Sequence, residues 1–223
     1  NPRSPSVSET NAYATYLVLR NNYIGFSTTG LMAIQVTTAH EFYHAVQSGY
    51  DNDRPGGYGE ASATWAEDEV YNDINDNYNY MQEWFTFPEV PLDTNGFVLG
   101  SNTITTHSYG SWVFFRYISE HVAQGRNNLR RILERTLAYN NSTADHSFDE
   151  IGDALAERGT NFTKVFRDFV AANASLTVGP YRYKEGMNYP SVARAFVYSD
   201  SVIQDTVYRH ASRYYQVTPS MLP

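Results

Sequence analysis

His40, Glu41 and His44 fall in the order His-Glu-x-x-His within TTAHEFYHAVQ, residues 37 to 47. On a helix, residues four apart lie one above the other on one face, so His40 and His44 can present both imidazoles to a single ion. Glu41, beside the first histidine, can then reach a water on that ion without binding the ion itself. A metal hydrolase needs this arrangement: zinc lowers the pKa of its water to about 7, and a carboxylate accepts the proton. The same five residues also fit a surface helix whose histidines face solvent, so the motif alone leaves two readings open.

A catalytic zinc takes three protein ligands and keeps a fourth position open. The chain has no cysteine, so the third ligand must be His, Glu or Asp. The six residues after His44 are AVQSGY, which removes a nearby third histidine of the metzincin kind; the next histidine is His107. A downstream glutamate is the better candidate, and a second helical stretch offers Glu60, Glu67, Asp68 and Glu69.

At that point the sequence resembles a known family. EASATWAE, residues 60 to 67, is similar to the glutamate helix of the gluzincin metallopeptidases, in which Glu-x-x-Ala-x-aromatic-x-Glu follows His-Glu-x-x-His after a short loop. The resemblance implies that Glu60 is the third zinc ligand and that Glu67 supports a ligand histidine from behind. Seven residues span about two helical turns, so both glutamates share a face; Asp68 and Glu69 then read as a solvated face. A closer likeness is to a group of exported, largely uncharacterised metalloproteases that carry a HEFFHAVQ-like active helix, a W-x-E-D-x-V-Y segment and a YGSW-like segment. The matching pieces are HEFYHAVQ (40 to 47), WAEDEVYND (65 to 73) and YGSWVFFRYISEH (109 to 121), and the similarity spans most of residues 15 to 175. Gluzincins also place a Tyr or His donor from a later helix against the developing oxyanion. Here that implies Tyr109 or His107, since His107-Ser-Tyr-Gly110 is offset from the Tyr-x-x-Gly of related aminopeptidases. Nothing before residue 40 matches the Gly-x-Met-x-Asn segment with which those aminopeptidases grip a substrate's amino terminus, which favours an endopeptidase.

The elements that must carry these residues are legible in outline. Residues 1 to 12 are polar and proline-bearing, an extended arm. ATYLVLRNNYIGF (14 to 26) has the content of a strand. Leu31, Ile34, Thr38, Phe42, Ala45 and Val46 recur near helical period through the histidine motif, with Gly49 as a stop. DNDRPGG (51 to 57) is a loop, and GEASATWAEDEVYNDI a helix whose apolar side is Ala61, Ala63, Trp65, Ala66 and Val70. A short helix over 75 to 85 and a proline-rich excursion over 87 to 97 follow. From His107 to about 175 the pattern is helical in four segments, with Ser147 and Glu150 as a capping box for the third and Asn161 as N-cap of the fourth. SVARAFVYSD and DTVYRHASRYYQV then alternate like strands. Trp65, Trp84 and Trp112 read as core.

Bulk composition limits the partners. The 223 residues carry a formal charge of −8, against nucleic acid as a partner, because phosphate binding needs clustered Lys and Arg. No run approaches 18 apolar residues, so no transmembrane helix is expected. The chain starts at Asn1 with no signal-like stretch, which reads as a processed form or a piece of a longer precursor. Asn140, Asn141, Asn161 and Asn173 each head an Asn-x-Ser/Thr triplet, a frequency that chance explains. Asp51-Asn52-Asp53 with Gly56, and Asp73, Asn75, Asp76 and Asn77, are two polar clusters that could hold calcium but lack a complete EF-hand spacing, so solvated turns are the simpler reading.

The expectation is an α+β, predominantly α-helical chain with small β elements at both ends. Residues 1 to 175 form a zincin-like catalytic domain, and 176 to 223 a β-rich extension that stops in mid-pattern. Its function is zinc-dependent hydrolysis of a peptide or protein substrate: His40, His44 and Glu60 hold zinc, Glu41 acts as general base, and Tyr109 or His107 steadies the oxyanion. The resemblance and the negative charge place it in a secreted or cell-surface setting. The competing reading is a zinc-binding structural or adhesive module that keeps a peptidase scaffold with little turnover. The single strand before the active helix favours it, because a gluzincin uses a small sheet there to align its substrate; the retained Glu41 speaks against it.

Overall fold

The computed structural model describes residues 12–52, 56–99, 102–139, 144–198 and 202–219. The chain is predominantly helical with few short strands. Helix α1 (Gly30–Tyr50) carries the histidine motif and α2 (Gly56–Val70) the glutamates. Gln47 reaches Gly59 and Ser62 while His40 reaches Glu67, so the two helices run antiparallel as a hairpin. A 3₁₀ turn (Asp76–Tyr80) leads into α3 (Met81–Thr86), where the sequence indicates one short helix. Next come β1 (Phe97–Leu99) and β2 (Asn102–Ile104), an antiparallel pair inside what the sequence marks as a proline-rich excursion and its exit.

Helix α4 (His107–Gly110) leads almost directly into α5 (Trp112–His121). Trp112, Val113, Phe114, Phe115, Tyr117 and Ile118 are all at most 3% exposed, and a helix buried all round must be central. Helices α6 (Asn127–Arg135), α7 (Ser147–Ala156) and α8 (Phe162–Ser175) complete the body, matching the segments read from the sequence. Asn161 caps α8, its side chain accepting from the Lys164 amide at 2.8 Å. The capping box at α7 is not formed: Asp145 accepts instead from the Ser147 amide and hydroxyl, and Ser147 lies inside the helix. An aspartate two residues upstream reaches the free amide without the glutamate partner a capping box requires.

Beyond α8, Leu176, Tyr183, Tyr189 and Val192 join the same hydrophobic core as Trp112 and Phe169. The remaining chain straps back over residues 85 to 92 through Ala193 to Phe85, Ser212 to Pro88 and Leu92 to His210 backbone bonds. Strands β3 (Ala195–Tyr198) and β4 (Tyr215–Thr218) pair in parallel within the two stretches whose alternation suggests strands. Trp65, Trp84 and Trp112 are core residues, as expected.

Two further expectations fail. Residues 14 to 26 form no strand: the Tyr13 amide donates to the Ser48 carbonyl at 2.9 Å, while Tyr16, Val18 and Ile24 stand exposed. Strand content needs a neighbour to pair with, and among the described residues none lies alongside. Among the described residues, small β elements therefore occur in mid-chain, at β1 and β2, and at the C-terminal side, not at the N-terminal end. Asp68 is no solvated residue; it is fully buried and ion-paired with Arg116 of α5, whose other guanidinium nitrogen bonds Glu69 at 2.7 Å. A buried carboxylate must be paired to stay charged, and Arg116 provides the partner.

No helix among the described residues is long and apolar enough to cross a membrane.

Candidate metal centre

Helix α1 buries an unusual face. Its buried residues are Ala33, Val36, His40 and Gln47, which fall on one side and meet α2. The helix-period apolar residues Leu31, Ile34 and Phe42 lie outside, 69%, 39% and 60% exposed. Helix α2 permits close approach because Gly59, Ala61, Ser62, Ala63 and Ala66 are small, and it is buried along most of its length. The hairpin thus turns two histidines inward against the glutamates of α2.

Each imidazole is fixed through its Nδ1. His40 Nδ1 lies 2.5 Å from Glu67 Oε1. His44 Nδ1 lies 2.7 Å from Gln47 Oε1, and the orientation of that amide is set independently, since Gln47 Nε2 donates to the Gly59 carbonyl at 3.0 Å and to Ser62 Oγ at 2.8 Å. Both rings therefore carry their proton on Nδ1 and turn the Nε2 lone pair the other way. Those two Nε2 atoms face each other at 2.9 Å, and Glu60 Oε2 lies 3.1 Å from one and 3.5 Å from the other.

Three lone pairs converging this closely, with both Nδ1 protons already committed, require a cation among them: a proton or a metal ion. Two ligand atoms on a tetrahedral zinc stand roughly 3.3 Å apart, given bond lengths near 2.0–2.1 Å. The three separations bracket that value, so the residues fit the ion. His40, His44 and Glu60 are the one group of three or more His, Asp or Glu able to share a metal among the described residues. Asp53, in the first of the two polar clusters considered for calcium, lies outside the described residues.

Without a metal the proton takes its place. Burial pushes His40 down, but hydrogen bonds and charge from Glu60 and Glu67 outweigh it and raise its pKa to about 9. Burial pushes Glu60 up, yet the two histidines hold it at about 2. Glu67 is raised, chiefly by burial, with Asp76 and Glu60 adding to the effect.

Of the two candidate oxyanion donors the structure brings one to this centre. Tyr109 stacks on His40, ring centroids 5.9 Å apart and planes 21° apart. Burial, followed by the charge of Glu60, a hydrogen bond to its carboxylate, and the charges of Glu41 and Glu67, lifts its hydroxyl to about 12, so it stays a donor at neutral pH. His107, two residues away and so about 200° round the helix, points elsewhere. It is fully buried against Trp84, with centroids 4.6 Å apart, and burial lowers its pKa to about 4. Glu41 is half-buried next to His40 in the chain, and its charge adds to the raised pKa of Tyr109.

Sequence reasoning missed two residues. Gln47 lies three positions after His44 on the same face, a spacing that could have marked it as an orienting partner. Tyr80, from the 3₁₀ turn, packs on Tyr109 with centroids 5.0 Å apart; no local signal could have found it. Among the Asn-x-Ser/Thr triplets, Asn161 is a helix cap and Asn173 is buried, accepting from the Tyr183 hydroxyl at 2.7 Å; Asn140 and Asn141 lie outside the described residues.

No protein-family model matches the chain, and no curated protein proves significantly similar to it.

Proposed function

We propose that the protein is a zinc-dependent peptidase that cleaves internal bonds of a peptide or protein. The observation that carries this reading is the convergence of His40 Nε2, His44 Nε2 and Glu60 Oε2 within 3.5 Å, with Tyr109 stacked on His40. Two nitrogens and one carboxylate oxygen suit zinc. Bound there, zinc would supply Lewis acidity, lowering the pKa of a water and polarising a carbonyl. Glu67 and Gln47 hold the two imidazoles in the tautomer that offers Nε2. Glu41 accepts the proton of the attacking water on its carboxylate and later delivers it to the leaving amine nitrogen. The Tyr109 hydroxyl, kept protonated by burial and then by the surrounding carboxylates, donates to the carbonyl oxygen as charge develops there. The nucleophile is water, so no acyl-enzyme forms.

One observation favours the second reading, a zinc-holding structural or adhesive module: no strand lies beside α1 among the described residues to align a peptide. Bound zinc and casein hydrolysis, measured for wild type and Glu41→Gln, separate the two. The peptidase predicts equal zinc content, with hydrolysis lowered by about 10²–10⁴-fold in the variant. Zinc in both proteins with equal inertness across neutral pH would leave only the structural module. The ligand assignment is overturned if Glu60→Ala keeps full zinc while Glu67→Ala loses it.

A further inference from the structure

Tyr109 does not stand alone on His40. Tyr80 covers its other neighbourhood, with ring centroids 5.0 Å apart and planes at 32°, so His40, Tyr109 and Tyr80 form a run of three rings. Tyr80 enters from the 3₁₀ turn, an element that follows the glutamate helix and contributes nothing to the ligand set. Its hydroxyl is kept protonated, first by burial and then by the charges of Asp76, Glu67, Tyr109 and Glu60, which places it in the same electrostatic surroundings.

The backbone is built for this contact. A Cβ on Gly110 would lie 2.6 Å from the Tyr80 carbonyl oxygen and 2.9 Å from Trp84 Cβ. Any side chain there would force α4 away from the 3₁₀ turn and α3, and Tyr109 is the residue before that glycine. Behind the contact, Trp84 packs on His107 of the same short helix, so α4 is gripped on two sides.

Resting on the peptidase reading of the centre, we propose that Tyr80 is a positioning residue for the reaction: its ring, brought close by Gly110, holds the Tyr109 phenol stacked against His40. A phenol free to swing would lose its hydrogen bond to the oxyanion, and a displacement of about 1 Å is enough to cost about 10²-fold in rate. The ring does this work, so Tyr80→Phe keeps it and Tyr80→Leu, which fills much of the volume without a plane, does not.

The test is a set of crystal structures of wild type, Tyr80→Phe, Tyr80→Leu and Gly110→Ala, with kcat and KM on a peptide substrate for the same proteins and for Tyr109→Phe and Tyr80→Leu/Tyr109→Phe. Expected are an intact His40–Tyr109 stack in Tyr80→Phe and a displaced Tyr109 ring in Tyr80→Leu and Gly110→Ala. With it, kcat falls by about 10–100-fold in Tyr80→Leu while KM stays within about threefold, and the double variant is no slower than Tyr109→Phe alone. A Tyr109 ring still stacked on His40 in Tyr80→Leu overturns the proposal whatever the rates are, and so do multiplying losses in the double variant. A wild type as inert as Glu41→Gln removes the peptidase reading instead, and the ring positions still decide whether Tyr80 holds Tyr109. Should Gly110→Ala fail to fold, Tyr80→Leu carries the decision.

Discussion

His40 and His107 are both buried, 8% and 0% exposed, and desolvation acts on each to drive its proton off. One nevertheless holds its proton to about 9 and the other releases it near 4. The difference lies in what faces the ring. His40 meets Glu67 on one nitrogen and Glu60 on the other, whereas His107 has the Trp84 indole on its face and, for polar neighbours, the backbone carbonyls of Val90 and Pro91 in place of a carboxylate partner. Burial by itself does not make a site; burial with carboxylates turned inward makes a place for a cation, and burial against an indole makes core.

The comparison breaks most visibly at the metal. His40→Ala should lower zinc affinity by about 10³-fold or more, beyond the 10–100-fold loss typical of an outer partner, while His107→Phe should still bind one ion per chain. Zinc titration against a chromophoric chelator reads both; loss in the His107 variant would mean that the two histidines are not separable.

A second difference is the direction of pH dependence. The folded pKa of His107 lies below the unfolded value of 6.5, so the unfolded chain binds more protons as pH falls, and stability is lost between about 6.5 and 4. The shift corresponds to about 3 kcal/mol. His107→Phe should remove that acid sensitivity, measured as urea midpoints against pH. In chelated protein His40 acts the other way: its contribution is full below 6.5 and fades as pH rises through about 9.

Smaller effects sharpen the picture. Glu67→Gln should weaken zinc by about 10–100-fold without changing the stoichiometry, because the ligand imidazole keeps its place and loses basicity. Gln47→Leu should cost about tenfold, the low end of the same range, since a neutral amide polarises His44 less than a carboxylate polarises His40. Equal losses in both variants would show that orientation, not charge, is what the outer partners provide.

How much of this was legible follows from how local each signal is. The pairing of His40 with His44 needs only helical spacing, and α1 forms where that spacing occurs. Glu60 and Glu67 could be singled out among four acids only by resemblance, because which face of α2 meets α1 is a tertiary fact. Asp68 reads as solvated from its neighbours in AEDE; the contrary signal is Arg116, a guanidinium inside the apolar WVFFRYI that has to find an acid. The choice between His107 and Tyr109 was half decided in advance, since a helix cannot turn both to one place. Tyr80 was invisible because its contact depends on Gly110 allowing two distant segments to touch. Residues 14 to 26 show the converse failure: strand-like composition without a neighbour is only extended chain.

The inward face of α1 carries Ala33, Val36, His40 and Gln47, and its apolar stripe of Leu31, Ile34 and Phe42 looks outward. Besides the small apolar contacts of Ala33 and Val36, the helix is tied across to α2 by the hydrogen bonds of His40 and Gln47. An ion bound by two groups of α1 and one of α2 would act as a rivet through the hairpin. Removing it should be felt first as amide exchange and protease nicking along residues 30 to 50, well before the core around Trp112 and Phe169 gives way, so that this helix becomes the first part of the molecule to report a shortage of metal.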